Sequence, residues 1–193
     1  TKKPMATCGI GSGLSFTCDD KANSAGGLKQ DFYVGNIGDL EGISYDGTGN
    51  VNSLNFSGYT GLYAFRGVKS KSTAGSDIQR GDGGLAYYPH TVVMTVIDVT
   101  PAQKSVLEDL GNSEVFIVVP TSTGRFEMYG YPLGLEISEG PRNSGESPQD
   151  NTSRALTFEG NQPFLEKIVN IPDSDASTGS EEETKAALDS YLV

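Results

Sequence analysis

The chain has 193 residues, 36% of them hydrophobic and 20% charged, which suits one domain with a core of ordinary size. Its formal net charge is −11 and its basic residues are dispersed, so tight binding of a nucleic-acid backbone, which needs clustered Lys and Arg, is not expected. No apolar run of about 18 residues occurs, so no membrane-spanning segment is predicted, and no apolar stretch typical of a secretory signal follows the first lysines.

Turn-forming residues are abundant. The 25 Gly and 9 Pro favour a β-rich fold over a helical bundle. Residues 1–29 are predicted to form a flexible N-terminal arm with one short strand over Leu14–Cys18. Cys8 and Cys18 are too far apart for a C-x-x-C redox pair, and no second pair completes a zinc site. A disulfide and two free thiols both fit this spacing, and without an export signal we favour free thiols.

Residues 30–171 are predicted to form an antiparallel β-sandwich or small barrel with one short flanking α-helix and long projecting loops. Turns separate short β-prone runs at intervals of about ten residues, as in sandwiches and small barrels. The first three runs are 31–37, 42–46 and 51–56. The polar segment 69–84 is too long for a tight turn, so it is either an extended hairpin projecting from the body or a mobile loop that orders on contact.

The strongest predicted strand is Tyr87–Thr100, which is apolar on both faces and is therefore expected to be central in its sheet. A short amphipathic helix over 101–110 follows, with Thr100 as N-cap, proline at its first position, Gln103 completing a capping box and Gly111 ending it. Its apolar stripe consists of Val106, Leu107 and Leu110.

Several strands are predicted after this helix. They are 113–119, 125–131 and 154–160, with 133–140 extending or following the second of them, and residues 164–171 close the folded body. The first two form a hairpin about the turn 120–124, and a second long polar loop, 141–153, precedes the strand 154–160.

Residues 172–193 are predicted to be an acidic linker followed by a C-terminal helix or tail. Ser180 and Glu183 supply a capping signal. The apolar side of this helix carries Ala187, Leu188, Tyr191 and Leu192. About a dozen residues hardly form a helix alone in water, so the segment is either a frayed tail or docks its apolar edge on a neighbouring subunit.

No arrangement typical of catalysis is present. The single histidine, His90, has no nucleophile context around it, and no G-x-S-x-G elbow occurs, so we expect a structural histidine on an edge strand. The glycine run at 9–13 lacks the third glycine of a dinucleotide motif. Residues 45–50 and 77–84 place acids near glycines, as calcium loops do, but lack the EF-hand ligand pattern. We therefore predict no catalytic residue, no cofactor and no metal site.

The order of strand, helix and hairpin over about residues 60–163 resembles the core of bacteriophage tail tube proteins. The stretch that carries it is TVVMTVIDVTPAQKSVLEDLGNSEVFIVVPTSTGRFEMYGYPLGLEI, followed by a long polar loop and RALTFEGNQP. The resemblance lies in a threonine-rich strand before the helix, an aromatic residue before a glycine in the hairpin, and a final strand before a proline. In that strand the matching residues are Leu156, Thr157, Phe158, Gly160 and Pro163.

This resemblance implies a structural virion protein and not an enzyme. Its copies would close into homo-oligomeric rings, with six subunits as one option, and the rings would stack through loops and termini. Their inner sheets would join around a channel through which genome DNA passes without specific binding, and the net charge of −11 is compatible with a wall that repels phosphates. The implied partners are further copies and other tail or head proteins of the virion, assembled in the host cytoplasm. A portal-to-tail ring or adaptor and a capsid-associated protein are alternatives within this class.

Two segments supply the candidate interface residues. The 69–84 segment would stack rings through Lys69, Lys71, Asp77, Arg80 and Asp82. The C-terminal helix would tie neighbours together through Leu188, Tyr191 and Leu192. An alternative from another class is a β-sandwich module that binds a carbohydrate or surface ligand, which the nine Tyr favour and the absence of Trp disfavours.

Overall fold

The structure is a computed structural model that describes residues 26–68, 70–97, 100–144, 152–172 and 180–193. Lys69, the predicted strand Leu14–Cys18 and both cysteines lie outside the described residues. The strands are β1 (Asp31–Asn36), β2 (Leu40–Tyr45), β3 (Val51–Phe56), β4 (Tyr63–Arg66), β5 (Thr73–Ser76), β6 (Gln79–Arg80), β7 (Ala86–Val96), β8 (Val115–Pro120), β9 (Phe126–Tyr129), β10 (Glu136–Glu139), β11 (Arg142–Asn143), β12 (Ser153–Gln162) and β13 (Lys167–Val169). The α-helices are α1 (Pro101–Leu110) and α2 (Glu181–Ser190), and a 3-10 turn spans Ile37–Asp39.

The strands form two sheets that pack face to face, which confirms the predicted mainly β, sandwich-like fold. Sheet 1 has the order β2-β3-β13-β9-β8-β1-β4. Sheet 2 has the order β10-β12-β7-β5, with β11 also paired to β12 and β6 also paired to β7. The pairing of β13 with β3 is parallel, and the other strand pairs of the two sheets are antiparallel. The predicted hairpin after the helix is the β8–β9 pair.

The main core lies between the two sheets, and α1 packs at its margin. Phe32 and Phe158 are fully buried there, and Leu110 of α1 is buried beside them. The predicted capping box is present, since the Gln103 N–H donates to Thr100 Oγ1 (3.3 Å) and the Thr100 N–H donates to Gln103 Oε1 (2.9 Å). The predicted apolar stripe is only partly buried, because Val106 remains 49% exposed.

β7 is central in sheet 2, between β12 and β5, as its sequence predicts. Its inward face includes the apolar Val92 and Met94, both at zero exposure, and the buried His90. Its other face carries the half-buried Thr91 and Val93 and points away from the core. The strand ends at Val96, earlier than predicted, and the next side chain, Ile97, is exposed.

Sheet 1 has a second core on its other face, and α2 covers it. Leu188 is fully buried there against sheet 1 residues that include Tyr33 and Phe116. The Tyr33 hydroxyl donates to Asp189 Oδ1 (2.7 Å), and the Leu62 N–H donates to the Tyr191 carbonyl (2.8 Å). The expected frayed tail is therefore wrong for residues 180–193. The role of Leu188 is also corrected, because its side chain is enclosed by its own chain and offers no surface to a neighbour.

Ser180 caps α2 as predicted. The Glu183 N–H donates to Ser180 Oγ (3.2 Å) and the Ser180 N–H donates to Glu183 Oε2 (2.6 Å). An ion pair between Lys29 and Glu181 joins the first turn of this helix to the residues that precede β1. Helix and sheet are thus connected by side chains at both ends of α2.

Replacement of Leu188 by alanine tests this docking. The fully buried leucine leaves a cavity in the second core, so Leu188→Ala lowers the free energy of unfolding by about 2–5 kcal/mol, as measured by urea denaturation. The exposed Glu182→Gln on the same helix is the matched control and changes it by less than about 0.5 kcal/mol. A Leu188→Ala variant as stable as the control would show that α2 does not pack on sheet 1.

Candidate assembly surfaces

His90 is a structural residue, but it lies on the central strand β7 and not on an edge strand as predicted. It is 1% exposed, and both of its ring nitrogens have partners. Nδ1 accepts a hydrogen bond from the Gly130 N–H (3.1 Å), so Nε2 carries the proton and donates to the Phe164 carbonyl (3.0 Å). Burial lowers the pKa of His90, opposed by the hydrogen bond to Phe164 and the nearby Glu166. A neutral imidazole with both nitrogens occupied has no free position for catalysis.

Gly130, Pro132 and Gly134 follow β9 and form a loop that His90 supports. Gly130 and Gly134 have φ near +90°, and a Cβ at Gly130 would lie 2.7 Å from Leu135 Cγ. The loop returns the chain so that Leu135 exchanges backbone hydrogen bonds with Val115. The buried His90 thus helps to hold a tight loop. The positive φ angles and close packing of this loop explain why glycines follow the β8–β9 hairpin.

Acidification tests the state of His90. Because the folded chain holds this imidazole neutral and the unfolded chain protonates it below about pH 6.5, the free energy of unfolding falls as the pH drops from 7 towards 5. Protonation would also turn Nδ1 into a donor facing the Gly130 N–H. We expect NMR titration of this single histidine to give a pKa below 6.5, and His90→Phe to remove the loss of stability in that pH range. A pKa at or above 6.5 would contradict the assignment.

Residues 45–50 form a closed turn around the carboxylate of Asp46. The Asp46 carboxylate accepts hydrogen bonds from the Thr48 hydroxyl and N–H (both 2.8 Å) and from the Asn50 N–H (2.9 Å). These bonds, led by that from the Thr48 side chain, lower the pKa of Asp46 to about 2. Among the described residues, no group of three or more potential metal ligands is found.

The segment 69–84 contains β5 and β6, which both pair with β7. Of the two predicted alternatives, an extended hairpin and a mobile loop, the described part of the segment is the extended hairpin. The structure separates the predicted interface residues along β7. Lys71 lies near one end, where its carbonyl accepts from Thr95 Oγ1 (2.9 Å). Asp77, Arg80 and Asp82 lie at the other end, in a hairpin over residues 77–86 that we call the arm.

Every residue of the arm is exposed, including two large aliphatic side chains. Ile78 is 64% exposed and Leu85 is 82% exposed. The cross-strand pair Gln79–Tyr87 places Leu85 on one face of the hairpin and Ile78 on the other. A two-stranded hairpin is marginally stable alone in water, so exposed apolar groups on both of its faces favour contact with another surface. Sequence reasoning missed both residues, although each is an isolated aliphatic in or beside a polar run.

Sheet 2 is open at both edges in the described part of the chain, with β10 and β5 as its outer strands. The register of β5 shows which groups are free. The Asp77 N–H donates to the Pro89 carbonyl (3.0 Å), so the alternate residues Thr73 and Gly75 face β7 as well. The backbone groups of Ala74 and Ser76 therefore point outward from the edge.

The outer face of sheet 2 is acidic and otherwise small and uncharged. Its outward positions include Thr73, Thr91, Val93, Ala155 and Thr157. Three exposed glutamates share this face, namely Glu136, Glu139 and Glu159, and Glu136 lies directly opposite Glu159. No lysine or arginine occupies an outward position of β5, β7, β10 or β12. The outer face of sheet 2 is therefore negatively charged.

Comparisons with protein families, with curated proteins and with solved structures find no match to this chain. None of the helices in the described residues is long and apolar enough to cross a membrane.

Proposed function

We propose that this protein is a structural subunit of a bacteriophage virion, a tail tube protein whose copies close into stacked rings around a DNA-conducting channel. The observation that carries the proposal is sheet 2. Sheet 1 has a core on both faces, whereas sheet 2 has a core on one face, two open edges and an acidic outer surface.

The open edges supply the ring contact. An edge strand with unpaired N–H and C=O groups is a template for pairing with another chain, and closing a ring satisfies every edge at once. The edge at β5 and the edge at β10 lie on opposite sides of sheet 2, so one copy can pair its β5 side with the β10 side of the next. The outer faces of sheet 2 would then form one continuous wall.

The charge of that wall suits a channel for DNA. Glu136, Glu139 and Glu159 would repeat around the lumen in every subunit, and repulsion from phosphates would let a duplex slide without sticking. Two carboxylates directly opposite each other on adjacent strands weaken a sheet, by roughly 0.2–1 kcal/mol. A feature that costs the subunit stability is expected where it serves a purpose.

A proline in the β5 edge tests ring closure. Ala74→Pro removes an outward N–H and spares the hydrogen bonds to β7, so we expect subunits that fold but do not form rings at high concentration. Ala74→Ser, which keeps the N–H, is the matched control and should form rings as the wild type does. Sedimentation and negative-stain microscopy distinguish the outcomes. A wild-type chain that stays monomeric at every concentration overturns the proposed function, and single rings that never stack indicate a portal-to-tail adaptor.

Removal of one glutamate tests the role of the acidic face. Glu159→Gln relieves the repulsion with Glu136, so the isolated subunit becomes more stable by about 0.2–1 kcal/mol in urea denaturation. Assembled tubes of Glu136→Lys, Glu159→Lys subunits should retain double-stranded DNA at low salt, and wild-type tubes should not. Equal retention by the two would contradict a wall that keeps DNA free.

A further inference from the structure

A groove of about 890 Å³ lies at the end of the molecule where β7 finishes. Its lining comes from β1, β4, the end of β7 with the residue after it, α1, Ser113 and the C-terminal residues. Its exposed apolar side chains are Tyr63, Ile97, Val106, Leu192 and Val193. The residue after β7, Ile97, is 46% exposed and Val106 of α1 is 49% exposed, so the groove brings together apolar surface that the fold leaves uncovered.

The floor of this groove includes a short stretch of open sheet edge. Leu62 points its backbone groups away from β1, since its N–H donates to the Tyr191 carbonyl and its carbonyl accepts from the Val193 N–H. Alternation along β4 places the groups of Ala64 and Arg66 on the same outward side. Further along, the Val68 N–H is paired with the Thr95 carbonyl (2.7 Å). Within the described chain, β1 is the only strand paired with β4, so this edge is open for about two residues.

The arm and the groove lie at opposite ends of β7. The arm ends at Ala86, the first residue of β7, and the groove is lined by Val96, the last residue of β7, and by Ile97 after it. Eleven residues of β-strand span about 35 Å, so the arm of one copy does not reach the groove of the same copy. A second copy placed along the direction of β7 brings the two together.

We propose that the arm of one copy docks in the groove of the next copy, a head-to-tail contact along the axis of β7. Three kinds of complementarity support a second copy as the occupant. Leu85 and Ile78 supply exposed aliphatic groups for the apolar groove. The arm is an extended segment that can pair with the open edge of β4. The arm carries Asp77, Arg80 and Asp82, and the groove carries Asp109 and Arg66, whose 77%-exposed side chain lies 3.9 Å from Asp31.

This inference rests on the proposed function, because it names the surfaces by which rings would stack. Ring closure would use the edges of sheet 2, at the sides of β7, and stacking would use its ends. The contact is heterologous, so its repetition builds an open row and not a closed dimer.

The test uses two full-length variants that each lose one half of the contact. Leu85→Asp places a charge on the apolar surface of the arm, and Val106→Asp places one in the groove. Because both side chains are exposed, both variants are expected to fold, which circular dichroism checks. Each variant alone should give single rings where the wild type gives stacked tubes. An equimolar mixture of the two kinds of ring should give pairs of rings and nothing longer. Val106→Asp rings keep intact arms and Leu85→Asp rings keep intact grooves, so the two can form one contact and have no intact surface left for another. Tyr59→Asp, at a fully exposed turn outside both surfaces, is the control and should stack as the wild type does.

Sedimentation velocity and negative-stain images give the number of rings per particle. Single rings for each variant and ring pairs for the mixture support the inference. Variants that still stack into long tubes overturn it and leave the proposed function standing. A wild-type chain that forms no rings overturns the proposed function and this inference together, and Ala74→Pro then has nothing to disrupt.

Discussion

The pairing of β7 with β12 is the interaction on which the rest of the structure depends. Nine consecutive Cα pairs join the two strands, from Arg154 opposite Val96 to Gln162 opposite Tyr88. This long register fixes which side chains of β7 enter the core, because a slip of one residue would exchange its two faces. It also fixes where His90 meets Gly130 and where the acidic outer face begins.

Sheet 1 takes the central layer between sheet 2 and α2. Phe116 and Ile117 are neighbours in β8 and both are fully buried, one in each core, since successive side chains point to opposite faces. Sheet 2 covers one face of sheet 1 and α2 covers the other, so sheet 2 is the sheet with an uncovered face. The C-terminal helix thereby decides which sheet keeps an exposed face, although it lies on the far side of the molecule.

Local signals in the sequence predicted the local structure well. Thr100 and Gln103 cap α1, and Ser180 and Glu183 cap α2, because capping boxes depend on residues three apart and need no tertiary context. Long-range contacts were harder to foresee. The apolar pattern of β7 indicated a central strand, but the expectation of an edge position for His90 itself was wrong, because β5 and β12 flank that residue too.

The surfaces proposed for assembly show the same division. Arg80 and Asp82 could be predicted as interface residues because they are charges in a polar segment. Leu85 could not, because its exposure depends on where the hairpin ends. The groove was not foreseen, because its walls come from segments more than 100 residues apart in the chain, from Tyr63 to Leu192. Leu188 was predicted to be an interface residue from its helical spacing, but it packs in the second core. Helical spacing identifies the apolar side of a helix and not the surface that this side contacts.

In a row of subunits built by the proposed contact, the placement of the arm and the groove at the two ends of one strand gives the row a direction. One terminus of the row displays bare hairpins, and the other displays vacant clefts. A protein that starts such a row must therefore offer a surface unlike that of a protein that stops it. Elongation from the two termini also proceeds through different encounters, so a single capping factor blocks growth at one terminus and leaves the other free.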